Sequence, residues 1–451
     1  MEKQPAEKSY VFDKGYRDVK YAFTNTWGQT FNGAGIKKLF SNILLFIPNL
    51  LAFLIVTAFR VIFNTIISLL LVAVFLIVAP VVYIGFVLVA FADWVYRTIK
   101  RISNVCPTCQ YRFDLPTYKC PTCGAEHTRL IPSQYGIFKR KCNCGTKIPT
   151  TFFNGRQKLE AKCQNCGLPL DGTPHVAVCV PVIGGASAGK TCFINMAIAQ
   201  IEDSIAAKKG YTFEYISNGQ NEYRDIVNGM KLGYLPEKTS DMRLKYYQFY
   251  LTPKGESIKR EISICDVGGE IYADDEMISD QIGLRFANAY IIVIDPLSIT
   301  EYRREIENTI DLKKYAASSM TIDEILSRLT TTLENLYNIS SKTMLSTDVA
   351  VVFTKTDLPG LSDQIGKKAV NAYVRNHTAT RDAASNILCE AFLRKYSEDN
   401  FVNNIRSKFK SVQYFACTSL GDSGDRNFKP EGVEEPVLWI MNKIFKNTEK
   451  K

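Results

Sequence analysis

The chain is 451 residues long, 46% hydrophobic and 22% charged, with a formal net charge of +10 at pH 7. That length leaves room for two or three domains, and the apolar share excludes a disordered chain. Spread over the whole chain, the charge is too small to mark a nucleic-acid binder, so its placement matters more than its sum.

Residues 1–38 are mostly polar and read as a cytosolic N-terminal segment. From Leu39 to Trp94 the sequence is apolar, interrupted only by Phe59-Arg-Val-Ile-Phe-Asn64. A helix crosses a bilayer with about 20 apolar residues. Residues 39–94 therefore predict a two-helix transmembrane hairpin, with legs at 39–59 and 65–93 and Arg60 near the far-side turn. Lys37 and Lys38 precede it, and Arg97, Lys100 and Arg101 follow. The positive-inside tendency then sets both flanks in the cytoplasm, as in an integral membrane protein, with membrane lipid as a partner. A cleaved signal peptide does not fit, because a long polar stretch comes first and the apolar run far exceeds an h-region.

Residues 95–172 hold eight cysteines in short pairs: Cys106 and Cys109, Cys120 and Cys123, Cys142 and Cys144, Cys163 and Cys166. A CxxC or CxC turn points two sulfurs at one ion, and a second pair closes the coordination sphere, so two pairs of pairs predict two structural zinc sites in a double zinc ribbon. Deprotonated thiols need a reducing compartment, in agreement with a cytoplasmic location. His127 follows Cys123 by four residues. It reads as an ordinary surface histidine, since each ribbon already has four sulfurs. The other cysteines, Cys179, Cys192, Cys265, Cys389 and Cys417, sit mostly in apolar runs and read as small core residues. Between Thr128 and Lys162, the bases Arg129, Lys139, Arg140, Lys141, Lys147, Arg156, Lys158 and Lys162 face a single acid, Glu160. Such a stretch suits anionic headgroups beside a membrane helix, or nucleic acid, or merely solvates a structural metal site.

Residues 173–447 alternate strands and helices, the grammar of an α/β domain with a mostly parallel sheet. Strand patterns appear at Val176–Ile183, Arg243–Leu251, Lys259–Asp266, Ala289–Asp295, Asp348–Lys355 and Val412–Cys417. Ile322, Ile325, Leu326, Leu329, Leu333 and Leu336 recur at helical spacing behind a capping box from Thr321 to Glu324. Pro181 lies inside what should be a central strand, and is expected at a non-paired position or a bulge.

Gly184, Gly185, Ala186, Ser187, Ala188, Gly189, Lys190 and Thr191 fit GxxxxGK[ST] between a strand and a helix, the phosphate loop of a P-loop NTPase. Lys190 is expected on the β- and γ-phosphates and Thr191 on magnesium. Further stretches follow in the order that a GTP-binding domain requires. Asp266 ends a strand and can hold the magnesium shell, while the N–H of Gly269 can sense the γ-phosphate. Thr354, Lys355 and Asp357 end another strand. A carboxylate at Asp357 can accept from N1–H and the exocyclic amine of guanine, an edge that adenine lacks, and Lys355 can lay its aliphatic stem along the ring. Thr418, Ser419 and Leu420 follow the last strand, where the Ser419 N–H can reach the guanine O6.

Through "GGASAGKT", "DVGG", "TKTD" and "CTSL" the chain resembles the translation-factor-related (TRAFAC) GTPases over roughly residues 175–447. It thus looks like a Ras-like P-loop fold that binds GTP with Mg2+. More narrowly, "ANAYIIVIDPLSI", "DVGGE" and the ribbon "GIFKRKCNCGTKIPTTFFNGR" resemble the bacterial double-GTPase families, associated with multi-gene conflict or defence loci. The narrower resemblance implies a GTP switch working with protein effectors or partner GTPase subunits. With one GTPase domain here, any double character comes from a partner chain. A switch-I threonine must precede the second strand; Thr239 is chosen, with Ser240 second. Ras-like GTPases orient the attacking water with a glutamine after the "DVGG" glycine, where this chain has Glu270. A carboxylate can orient or deprotonate water but is repelled by a triphosphate. Three functions follow: a membrane-anchored GTPase signalling to partners, a nucleotide-gated membrane scaffold with little hydrolysis, and a zinc-ribbon nucleic-acid sensor that controls a GTPase.

Overall fold

A computed structural model describes residues 4–30, 46–100, 102, 104–106, 109, 111–170, 175–216, 220–236, 245–256, 258–267, 287–310, 315–318, 320–340, 345–421 and 428–449. They fall into two compact units: Met1–Ile102 with Phe113–Thr173, and Ser103–Arg112 with Pro174–Lys451.

In the first unit, α1 spans Lys14–Thr30 and α2 spans Phe46–Ile99. The break expected at Arg60–Asn64 is absent, and α2 runs through it as one helix of 54 residues. Phe59–Asn64 contains neither glycine nor proline, and one arginine and one asparagine cost a helix little. Asn64 also turns its amide away from the helix and donates to the Thr26 carbonyl at 3.2 Å. Residues 39–45 of the expected first leg lie outside the described residues, and the remainder of that leg belongs to α2. The helix that packs along α2 is instead α1. Trp27 donates to the Ser68 hydroxyl at 3.1 Å, and the Phe12 ring meets Tyr83 and Phe86 at 5.1 and 6.0 Å. The two helices therefore run antiparallel.

Within this unit the ribbon carries a three-stranded and a four-stranded sheet. Ala6–Glu7, Lys139–Cys142 and Lys147–Pro149 form one, so the N-terminal segment contributes an edge strand, with Ala6 opposite Cys142 and Glu7 opposite Lys141. Glu126–His127, Thr117–Lys119, Ala161–Lys162 and Pro169–Leu170 form the other. Tyr118, Leu130, Ile148 and Ala161 pack with Cys120 and Cys142 into a small core. Asp93, buried near the end of α2, ties that helix to the ribbon. It accepts from the Phe152 N–H at 3.1 Å, Arg97 at 3.1 Å and Arg156 at 3.2 Å, and Tyr96 stacks on Phe152.

The basic stretch is not one solvated face. Arg140 and Arg156 are buried, Lys141 pairs with Glu7, and Lys162 pairs with Glu126. His127 is not at the surface either. It is fully buried, and neither ring nitrogen has a hydrogen-bond partner among the described residues. Its strand places it opposite Tyr118, whose ring belongs to the small core.

The second unit is built on seven strands: β1 His175–Ile183, β2 Tyr211–Tyr215, β3 Lys245–Pro253, β4 Lys259–Asp266, β5 Ala289–Ile294, β6 Leu345–Phe353 and β7 Phe409–Ala416. Their order is β2-β3-β4-β1-β5-β6-β7. β4, β1, β5, β6 and β7 pair in parallel, and β3 alone runs against the rest. Every residue of β5 is buried, as a strand covered on both faces requires. On one face lie α3 Lys190–Gln200 and α4 Gln220–Lys231; on the other lie α5 Thr300–Ile306, α6 Ile322–Tyr337, α7 Arg381–Lys395 and α8 Asp399–Lys408. α9, Glu435–Glu449, joins the first face. The capping box at Thr321 and Glu324 is present, and Ile322, Ile325, Leu326, Leu329 and Leu333 are all buried.

Pro181 is accommodated without a bulge. It stands in register with Cys265 of β4, where the Val182 carbonyl accepts from the Val267 N–H. Alternate residues of a parallel strand turn to alternate neighbours. Cys179 bonds toward β5 through Asn288, so Pro181 also turns its missing donor to that side, where strand pairing starts only at Val182.

Candidate functional sites

The C-terminal ends of β1, β4, β6 and β7 carry the residues that the sequence singled out. Leaving β1, the chain passes Gly184 and Gly185 and enters α3 at Lys190 through Gly189, which has φ +86°. Gly184 has no alternative, because a Cβ there would stand 2.6 Å from the Val293 carbonyl oxygen. Ala186 and Ser187 are half-buried, Ser187 also with a positive φ, and Ala188 is buried. The loop therefore closes tightly at a helix N-terminus, where backbone N–H groups and the helix dipole favour an anion.

Lys190 is buried and donates to the Gly184 and Gly185 carbonyls, each at 2.9 Å. Burial lowers its pKa, while the Asp266 carboxylate works to raise it. Thr191 donates to Asp266 at 2.7 Å. Burial raises the Asp266 pKa, opposed by Lys190 and by the Thr191 hydrogen bond. Two oxygen donors side by side at the loop mouth suit a hard divalent cation such as Mg2+.

The β6 loop meets the phosphate loop directly. Thr354 donates to the Ala188 carbonyl at 2.8 Å and lies 3.2 Å from the Ile294 carbonyl. Lys355 has φ +55° and reaches Asp295 at 2.7 Å and the Ala316 carbonyl at 2.6 Å. Asp357 accepts from the Thr418 hydroxyl at 2.7 Å, and the Thr356 N–H donates to the Cys417 carbonyl at 3.3 Å. Thr418 and Ser419 are buried beside this loop, and Leu420 is partly buried against the α3 face. Thr239, Ser240, Gly269 and Glu270 lie outside the described residues.

Asp295 escapes a reading of the sequence. It is buried at the end of β5, where its carboxylate accepts from the N–H groups of Leu297 and Ser318 at 2.9 and 2.8 Å as well as from Lys355. The available signal is the one that marks Asp266: an acid closing an apolar strand at the phosphate-loop end of the sheet.

The ribbon cysteines gather in two groups of four: Cys120, Cys123, Cys142 and Cys144, and Cys106, Cys109, Cys163 and Cys166. Within each group the sulfurs lie within 4.8 Å of one another. In the first group the Cys120–Cys144 and Cys123–Cys142 sulfur distances are both 3.6 Å. A zinc–sulfur bond of about 2.3 Å gives a tetrahedron with edges of about 3.8 Å, so the donor set fits zinc. His127 belongs to neither group.

No curated protein matches the chain. Solved structures similar to it include the Roco2 RocCORdC of Methanosarcina barkeri bound to GDP, at 12% identity and a TM-score of 0.24, covering 61% of this chain and 49% of that one. Another is the GTPase-like domain of Ski7 from S. cerevisiae, bound to GDP and inorganic phosphate, at 15% identity and a TM-score of 0.32, covering 61% and 51%. The chain thus spans about half the length of the solved chains it matches. The model of the family Double-GTPase 2 matches residues 178–403, half of the chain, from β1 through the phosphate loop to α8. By that match the chain belongs to the Double-GTPase 2 family.

Proposed function

We propose that the chain is a membrane-anchored guanine-nucleotide switch that binds and hydrolyses GTP with Mg2+ and signals its state to partner proteins. One contact carries the reading: the Thr354 hydroxyl on the Ala188 carbonyl holds the β6 loop against the phosphate loop. Asp357 is thereby fixed at one end of a site whose other end is Lys190 and Thr191. In this arrangement Lys190 turns from the Gly184 and Gly185 carbonyls to the β- and γ-phosphates. Thr191 and Asp266 hold the cation, which neutralises charge developing between those phosphates. Asp357 reads the guanine edge, Lys355 covers the ring and the Ser419 N–H meets O6. Thr239 closing on the cation, Gly269 sensing the γ-phosphate and Glu270 orienting water complete the proposal.

α2 is long and apolar enough to cross a membrane, and it supplies the anchor. Zinc in the two cysteine groups stabilises the ribbon that adjoins it. The family resemblance supports a bacterial inner-membrane location, a role in a conflict or defence system, and effectors or partner GTPase subunits. Burial and pairing of half the basic stretch speak against a nucleic-acid sensor. Glu270 favours a second reading, a nucleotide-gated scaffold with little hydrolysis, because a carboxylate beside a triphosphate is repelled.

Binding and turnover of GTP and ATP by the full chain in detergent, with Mg2+, decide among these. Selective GTP turnover that is lost in Lys190→Ala and in Asp357→Ala is the expected result. Tight GTP binding without turnover selects the scaffold, and binding of neither nucleotide refutes both.

A further inference from the structure

The segment between α5 and α6 makes contacts that no motif announces. Ser318 is 6% exposed, and its hydroxyl has no hydrogen-bond partner among the described residues. That hydroxyl sits over Gly185, where a Cβ on the glycine would lie 2.0 Å from Ser318 Oγ, with the Met320 and Ser318 Cβ atoms at 3.3 and 3.4 Å. The same short segment is fastened to the guanine-reading side. The Ser318 N–H donates to Asp295, and Lys355 donates both to Asp295 and to the Ala316 carbonyl. Residues 315–318 thus form a strap touching the phosphate loop at Gly185 and the β6 loop at Lys355.

We propose that Ser318 is a positioning residue of the nucleotide site, holding the phosphate loop at Gly185 in register with the guanine-reading loop through Asp295 and Lys355. This rests on the GTP-binding reading above. The physical reason is close packing. A glycine lets the strap approach the backbone more nearly than any side chain allows, and a buried hydroxyl placed there leaves the loop only one trace. Gly184 offers an internal contrast, because a Cβ there meets first the Val293 backbone carbonyl oxygen of β5, which no side-chain change removes.

The test is a crossed set of variants in the full chain: Gly185→Ala, Gly184→Ala, Ser318→Gly and the two glycine variants each combined with Ser318→Gly. Affinity is read with a fluorescent GTP analogue, and folding with the thermal midpoint. Ser318→Gly alone is expected to weaken GTP binding by more than about threefold, because the phosphate loop loses its stop, and wild-type affinity there overturns the proposal. Gly185→Ala is expected to weaken it at least tenfold, and the two together to restore affinity to within about threefold of wild type, the alanine methyl filling the space that the hydroxyl gave up. Gly184→Ala is expected to lose binding and stay lost when Ser318→Gly is added. Wild-type affinity in Gly185→Ala overturns the proposal, since the hydroxyl then merely turns aside. Equal rescue of both glycine variants, or of neither, overturns it as well. Wild-type protein that binds no guanine nucleotide refutes the GTP-binding reading itself, an outcome separate from these.

Discussion

Thr354 turns its single hydroxyl to the Ala188 and Ile294 carbonyls, both buried with it where the β6 loop meets the phosphate loop. Thr354→Val keeps the shape and removes the donor, leaving the Ala188 carbonyl without this partner. An unmet buried carbonyl costs roughly 1–3 kcal/mol, so GTP affinity should fall about tenfold, as titration with a fluorescent GTP analogue will show. Unchanged affinity would mean that the joint is held by other contacts. Residues of this kind are legible from sequence wherever a motif fixes type and spacing together, as from Gly184 to Thr191 and from Thr354 to Asp357. Asp295 and Ser318 are not. An acid closing an apolar strand marks the place of Asp295, but what it and Ser318 touch comes from a carboxylate and a hydroxyl meeting loops distant in the chain, which neither residue type nor local spacing records.

Among the elements, the ribbon shows how a legible staple can hide an illegible core. Cysteine spacing marks the metal donors, but His127 reads as a surface residue because a histidine beside polar neighbours carries no periodicity to betray its burial. Burial, with the Arg140 guanidinium adding repulsion, pushes its pKa down to about 4 from an ordinary 6.5. Well above pH 6.5 the ring is neutral in both states, and its titration takes nothing from stability. As pH falls from 6.5 toward 4, the unfolded chain takes up a proton that the folded ribbon refuses, and stability falls with it. At pH 5.5 the loss is about 1.4 kcal/mol from this group alone. His127→Leu removes a ring with two unpartnered nitrogens and so should leave the neutral-pH fold near its wild-type stability. It should also flatten the decline between pH 7.5 and 5.5, measured as thermal midpoints with zinc in excess. Thiolate protonation acts on both proteins alike, so parallel declines in the two would remove His127 from the account. The long apolar helix is legible in kind and misread in number, since nothing between Phe59 and Asn64 breaks a helix, and polarity alone suggests a turn there.

At the scale of the whole molecule, the first unit constrains how a membrane could meet it. Residues 4–9 are fastened to the ribbon: Ala6 pairs with Cys142, and Gln4 bonds to Thr128 and Arg140. α1 then runs back along α2 from the level of Tyr83 to that of Asn64. The uncharged part of α2 between Arg60 and Asp93 is about 48 Å long at 1.5 Å per residue, well beyond the roughly 30 Å of a hydrocarbon core. On the proposed anchoring by α2, apolarity therefore leaves the depth undecided, and α1 decides it. Lys14, Arg17, Asp18 and Lys20 all fall in the ribbon-proximal turns of α1, beside the part of α2 approaching Tyr83, and charges at the bilayer centre are costly. The hydrocarbon should then centre nearer Ser68, where the Trp27 indole meets a hydroxyl, than Val78. Leu70 and Ile84 are both exposed on α2, so a tryptophan at either reports its own depth. In vesicles containing brominated lipid, and after subtracting the three native tryptophans, Leu70→Trp should be quenched more strongly than Ile84→Trp, by about twofold or more. Stronger quenching at residue 84 would put the α1 charges inside the bilayer, and the α1–α2 pairing could then not be the arrangement that the protein adopts in lipid.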